Sequence, residues 1–213
     1  MGPLRASVVA GVLVIVSAGG SFASPASPAN STVPDHITLV CSRAGQPDIV
    51  GSFTVMLRDF TNNPMFNRDV DVDLSGCTDL EICSDQLDPA ASVDCAAKRI
   101  RKFTGATGSV SFTVLGHSNG LGDATTLQNG VKIFGTGVLL RSLTASAFDL
   151  DGSNGVGIND LAVWLNDFGT SGNPPYGRSD FDGDGKVDVD DLSVWLAAFG
   201  TGGATASCAA SCP

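Results

Sequence analysis

DLDGSNGVGINDLAVWLNDFG (149–169) and DFDGDGKVDVDDLSVWLAAFG (180–200) are two copies of one pattern, 31 positions apart and aligned without a gap. Self-similarity of this kind is the first thing a sequence should be searched for, because it sets the architecture of the segment that holds it. Each copy opens with twelve residues in which oxygen-bearing side chains recur at positions 1, 3, 5 and 12. Alternation brings every second side chain of a curled loop inward. A hard cation seeking six to eight oxygens at about 2.3–2.6 Å needs such a loop. In the second copy the candidate ligands are Asp180, Asp182, Asp184, the Lys186 carbonyl at position 7, Asp188 and Asp191, with Gly185 at position 6 for the turn. The first copy offers Asp149, Asp151, Ser153, the Gly155 carbonyl and Asp160, and puts Asn154 where the glycine is expected. Fewer carboxylates predict weaker binding in the first loop.

A helical pattern follows each loop. Leu161, Trp164, Leu165 and Phe168, then Leu192, Trp195, Leu196 and Phe199, fall at i, i+3, i+4 and i+7. That spacing gives one apolar stripe per helix. Gly169 and Gly200 stand where a helix C-terminus favours glycine. Helices this short are marginal alone, so ion binding and mutual packing of the stripes are expected to fold them together.

A duplicated loop followed by one helix, with Asp rather than Glu at position 12, resembles the type I dockerin domain over residues 149–200. The resemblance implies two bound Ca²⁺ ions, a pseudo-symmetric pair of helices, and a helix face that docks onto a cohesin-like protein domain. At loop positions 10 and 11 this chain has Ile158 and Asn159, then Val189 and Asp190. The residues leave another partner open, since the module could instead clip itself onto its own β-sandwich.

Charge and length bound the rest. The 213 residues carry a formal charge of −10, which argues against nucleic acid or an anionic membrane as a partner. Nine of the 22 acidic residues lie in the two loops, so metal-free loops should repel themselves. Residues 1–23 read as a secretory signal peptide, with Arg5 early, an apolar run from Val8 to Val16 and Ser21-Phe22-Ala23 as a small-x-small cleavage site. The run is too short to span a membrane, and a secreted, extracellular protein is expected. Six cysteines (41, 77, 83, 95, 208 and 212) fit an oxidising compartment. Their connectivity stays open; Cys77 with Cys83 and Cys208 with Cys212 are close enough in sequence to clip a loop and the tail. Paired C-x₂-C spacing for zinc is absent.

Residues 24–35, rich in Ser, Pro and Ala, read as a flexible lead-in. From His36 to Phe148 short alternating runs replace them, as in Phe53, Val55 and Leu57, Val70, Val72 and Leu74, and Val110, Phe112 and Val114. Turn signals fall at Asn62-Asn63-Pro64, Gly105 to Gly108 and Gly135-Thr136-Gly137. These predict one antiparallel sandwich, so the fold class is mainly β with a small α module. The order of strands and turns resembles bacterial immunoglobulin-like domains of the invasin and intimin type, which implies a spacer or binding role. Residues 203–213 form a cysteine-containing tail. Phe148 runs into Asp149 without a linker, so the sandwich and the loop–helix module are expected to move as one body.

No catalytic residue is assigned. Gly116-His117-Ser118-Asn119-Gly120 spells the nucleophile-elbow motif, but the only histidines are His36 and His117, so none follows the serine. Glu81 is the only glutamate, and Asp59, Asp69, Asp71, Asp73 and Asp79 read as a solvated face. A secreted, non-catalytic calcium-binding protein for extracellular assembly or attachment is the expected function. The alternative is a component of a polysaccharide-degrading system, in which the sandwich or the module meets sugar.

Overall fold

The run Asp69–Asp73 forms a strand whose alternation sorts its side chains: Val70 and Val72 are fully buried, and the aspartates point to the opposite face. The computed structural model describes residues 24–119, 130–153, 155–170, 176–200, 205–206 and 208–212. The signal-peptide reading (1–23), Asn154 and the segment 120–129 after the serine motif lie outside the described residues.

Among the described residues the strands are β1 (His36–Leu39), β2 (Ser42–Arg43), β3 (Gln46–Pro47), β4 (Phe53–Met56), β5 (Asp69–Asp73), β6 (Leu80–Ile82), β7 (Ser92–Asp94), β8 (Arg99–Phe103), β9 (Ser109–Phe112), β10 (Gly116–Ser118), β11 (Val131–Gly135), β12 (Val138–Ala147) and β13 (Thr205–Ala206). Two helices, α1 (Ile158–Asp167) and α2 (Val189–Gly200), make the chain mainly β with a small α module. A six-stranded sheet runs β1-β12-β11-β5-β8-β7, beside smaller sheets β4-β9, β10-β6 and β13-β2-β3. Val55 of β4 and Val110 and Phe112 of β9 share one core with Val70, Val72, Ile100 and Ile133 of the large sheet.

The expected hairpin joins β11 to β12 through Thr136 and Gly137, whose φ of 49° and 76° suit a two-residue turn that matches strand twist. Three expectations change. The sheet is mixed, because β1 pairs parallel with β12. That register places the His36 ring 2.7 Å from Thr144 Oγ1 and 2.9 Å from Ser146 Oγ. Second, the lead-in is ordered. Thr32 and Met56 exchange backbone hydrogen bonds of 2.8 and 2.9 Å, Ser27 N–H donates to the Arg58 carbonyl at 2.8 Å, and Ala26 is fully buried. A composition typical of linkers has added a ragged edge to β4, since β4 left its outer backbone groups to be paired.

Third, three of the five aspartates expected on a solvated face, Asp71, Asp73 and Asp79, are covered, while Asp59 and Asp69 are not buried. Asp71 faces Arg101 and Asp73 faces Arg99 across the β5–β8 ladder, at 2.7 and 2.6 Å, and both carboxylates are nearly buried. Asp79 is buried too. Cross-strand pairs of opposite charge are the local unit of sheet stability, and the long arginine stems cover the carboxylates they neutralise.

The cysteines join distant segments. Cys83–Cys208 and Cys95–Cys212 are disulfides spanning 125 and 117 residues. Neither local clip forms, and the tail is bound across the β-domain. Tail residues continue the pairing: Ser84 N–H donates to the Ala210 carbonyl at 2.9 Å and Cys212 N–H to the Ile82 carbonyl at 2.8 Å.

Candidate metal centre

The two loops are built on the same hydrogen-bond frame, and it is set by the last aspartate of each. Asp160 Oδ1 accepts from the N–H of Leu150 (2.6 Å) and Asp151 (3.0 Å), and its Oδ2 from Gly157 (2.6 Å). Asp191 repeats this with Phe181 (2.6 Å), Asp182 (3.2 Å) and Asp188 (2.8 Å). Both side chains are buried and each lies in the first turn of its helix. One carboxylate thus ties the start and the end of a loop to a helix N-terminus, where negative charge is favoured. The first aspartate closes the middle: Asp149 Oδ2 accepts from Gly155 N–H, and Asp180 Oδ2 from Gly185 N–H, both at 2.9 Å. Gly185 has φ +88°, the left-handed turn expected at position 6.

Side-chain oxygens converge in both loops. Asp149, Asp151 and Asp160 bring one ligand atom each to within 4.8 Å of one another, and so do Asp180, Asp182 and Asp184. All donors in both groups are oxygens, a set that fits a hard divalent cation. The remaining predicted positions are not among these converging groups, and several make local hydrogen bonds. Ser153 N–H donates to Asp151 Oδ1 at 2.9 Å, and Lys186 places its N–H and its ammonium on Asp184, each at 2.9 Å. Asp188 Oδ1 accepts from Asp190 N–H at 2.9 Å.

Electrostatics agrees with the donor set. Burial raises the Asp160 carboxyl to about 6, with the charges of Asp149 and Asp151 adding to it. Burial likewise raises Asp180 to about 6, with Asp191 and Asp182 adding, and it raises Asp191. Carboxylates crowded into a partly dry loop hold protons above their usual range until a cation replaces them. A carboxyl raised above its unfolded value of about 3.9 contributes stability that is full below that value and lost as pH rises through the folded one. Metal-free protein should therefore gain thermal stability at these two groups as pH falls from 7 towards 5. Melting curves of the wild type and of the Asp160→Asn/Asp180→Asn double variant test this: the gain should shrink in the variant, and an identical gain would refute it.

The loops are seated on the β-domain from different sides. In loop 180–191, Thr38 Oγ1 of β1 donates to the Phe181 carbonyl at 3.1 Å, and a Cβ on Gly183 would stand 2.4 Å from His36 Cβ. Loop 149–160 rests on β10 and β13. Ser118 N–H donates to the Asp149 carbonyl at 2.9 Å, and Val156 N–H to Thr205 Oγ1 at 2.7 Å. Trp164, Trp195, Phe181 and Val187 then join Val40, Leu115, Phe148 and Leu150 in a second core. Each stripe is therefore only half used, since Leu165, Phe168, Leu196 and Phe199 are exposed. The expected packing of stripe against stripe gives way to burial of each tryptophan against the β-domain, with Phe168 and Phe199 lying beside the indoles at centroid distances of 5.1 and 5.0 Å.

Two residues that hold the module in place are not signalled as such by the sequence. Asp167, buried in the last turn of α1, accepts from Arg178 Nε (2.9 Å) and Nη2 (3.2 Å) and from Ser179 Oγ (2.7 Å). It ties the end of the first helix to the entry of the second loop. The only signal was that Asp167 breaks the repeat, standing where the second copy has Ala198. Arg43 donates to the Ala198 carbonyl in the last turn of α2, a favourable place for a cation.

The serine motif has other surroundings than an elbow. Ser118 is fully buried in β10, which pairs with β6, and His117 Nε2 lies 2.8 Å from Ser211 Oγ and 3.7 Å from Glu81 Oε2. Among the described residues no helix is long and apolar enough to cross a membrane. No family model, curated protein or solved structure matches the chain.

Proposed function

We propose that this is a secreted, non-catalytic calcium-binding protein whose loops 149–160 and 180–191 each take one Ca²⁺. In this reading the loop–helix module serves extracellular assembly or attachment, as the dockerin resemblance implies, and the β-domain, which the immunoglobulin-like resemblance of its sequence makes a spacer or binding body, is what it is built onto. The observation that carries the reading is the repeated frame around Asp160 and Asp191, with converging carboxylates in both loops. Outward apolar residues repeat as well: Ile158, Leu165 and Phe168 on α1, Val189, Leu196 and Phe199 on α2, all exposed. They give an assembling partner a surface to cover. A second reading, favoured by the shared core around Trp164 and Trp195, makes the ions a clip that fixes the module to its own β-domain.

Ligand count ranks the sites. Loop 180–191 has five candidate carboxylates against three in loop 149–160, so it should bind more tightly. Calorimetric titration of Asp191→Ala should show loss of the tighter site and Asp160→Ala loss of the weaker one; equal or reversed losses would refute the ranking. Capture from the native secretome with and without Ca²⁺ separates attachment from the clip: a partner retained only with Ca²⁺ supports the first, none the second.

A further inference from the structure

The two loops are supported at the same position by different means. At position 8 of the second loop, Val187 N–H donates to the Thr170 carbonyl at 3.0 Å, and the Val187 carbonyl accepts from Gly169 N–H at 2.9 Å. Gly169 and Thr170 directly follow α1, so this support lies inside the module. At position 8 of the first loop, Val156 N–H donates instead to the Thr205 hydroxyl at 2.7 Å. Gly155, with φ +153°, lies so close beneath that a Cβ there would be 2.6 Å from the Thr205 carbonyl oxygen. Each loop is thus steadied by the chain that follows the other copy's helix. For the first loop that chain is the tail.

What fixes Thr205 lies outside the module. Thr205 and Ala206 pair with Arg43 and Ser42 of β2, and Ser42 Oγ donates to the Ala206 carbonyl at 3.0 Å. Just beyond, Cys208 is bonded to Cys83 and Cys212 to Cys95. A cross-link of this span removes many conformations from the chain it closes, and a loop held in its bound shape binds with less ordering cost.

We propose that the disulfide-anchored tail belongs to the first cation site: Thr205 is a positioning residue that holds loop 149–160 in its binding shape, so closing the tail disulfides raises that loop's Ca²⁺ affinity and leaves loop 180–191 unchanged. The inference rests on the calcium reading above. Coupling of this kind is reciprocal, so Ca²⁺ in the first loop tightens the tail in turn. It also gives the carboxylate-poorer loop a support that its own side chains do not supply.

The test uses single-loop backgrounds of the full chain, titrated with Ca²⁺ alone. In Asp191→Ala, where only the first loop is intact, Thr205→Val should weaken binding about tenfold, the upper effect of leaving one partly buried N–H without its acceptor. Thr205→Ser, which keeps the hydroxyl, should restore it. In Asp160→Ala, where only the second loop is intact, Thr205→Val should change nothing. Hydrogen exchange at the Val156 amide of metal-free protein should quicken in Thr205→Val, and the Val187 amide should not. The Cys83→Ser/Cys208→Ser pair should act in the same direction as Thr205→Val. Equal losses at both loops, or none at the first, would overturn the proposal while leaving the calcium reading intact. Absence of binding heat in every background would overturn both.

Discussion

Trp195→Ala is expected to lower the stability of the protein by about 3–5 kcal/mol, and Trp164→Ala by a similar amount. Both indoles are buried, at 1% and 2% exposure, in a core that contains Val40, Leu115 and Phe148 of the β-domain as well as Phe181 and Val187 of the second loop. Truncation would leave a void between the two parts of the chain rather than within either, so the helices and the β-domain should lose protection together. Neither indole N–H has a hydrogen-bond partner among the described residues. Trp195→Phe therefore removes no hydrogen bond and should cost much less than the alanine. Chemical denaturation of the three variants measures this. Equal costs for Phe and Ala, or an alanine effect below about 1 kcal/mol, would mean that the indole is not a packing element of the joint.

Asp167→Ala is the second large effect, expected at about 3–5 kcal/mol because it strands a largely buried guanidinium. Asp167 is 1% exposed and Arg178 meets it with two nitrogens, while Ser179 adds a third donor. A double-mutant cycle with Arg178→Ala isolates the pair, and its coupling should persist in high salt, because buried charges are poorly screened. The chain from α1 to the second loop depends on this clamp. Circular dichroism of Asp167→Ala should accordingly show loss of helix, and a wild-type spectrum and midpoint would remove Asp167 from the account.

The parts of the molecule legible in the sequence are those whose chemistry repeats over short distances. Asp149 and Asp151, and Asp180, Asp182 and Asp184, stand two positions apart, and that spacing alone groups them. Period-two alternation marked the inner face of β5, and Gly135-Thr136-Gly137 marked the turn between β11 and β12. What the sequence hid are contacts between remote segments. Nothing near Asp71 and Asp73 announces that Arg101 and Arg99 will cover them some 26–30 residues on. Nothing in the Ser-Pro-Ala run says that Thr32 will pair with Met56, since that bond is decided by an unpaired strand edge elsewhere. The helix stripes suggest mutual packing, but period reports which residues share a face, not what that face meets. The β-domain took the tryptophans, leaving Leu165, Phe168, Leu196 and Phe199 outside. Cysteine spacing suggested local clips, and the chain used its cysteines to bind the tail across the β-domain.

Calcium titration of the purified protein, followed by calorimetry and by circular dichroism before and after chelation, is the most direct test of the central claim. Two binding events, loss of helical signal and of buried-tryptophan fluorescence on chelation, and recovery of both on adding Ca²⁺ back are the predicted result. No heat of uptake, together with an unchanged spectrum in EGTA, would contradict it.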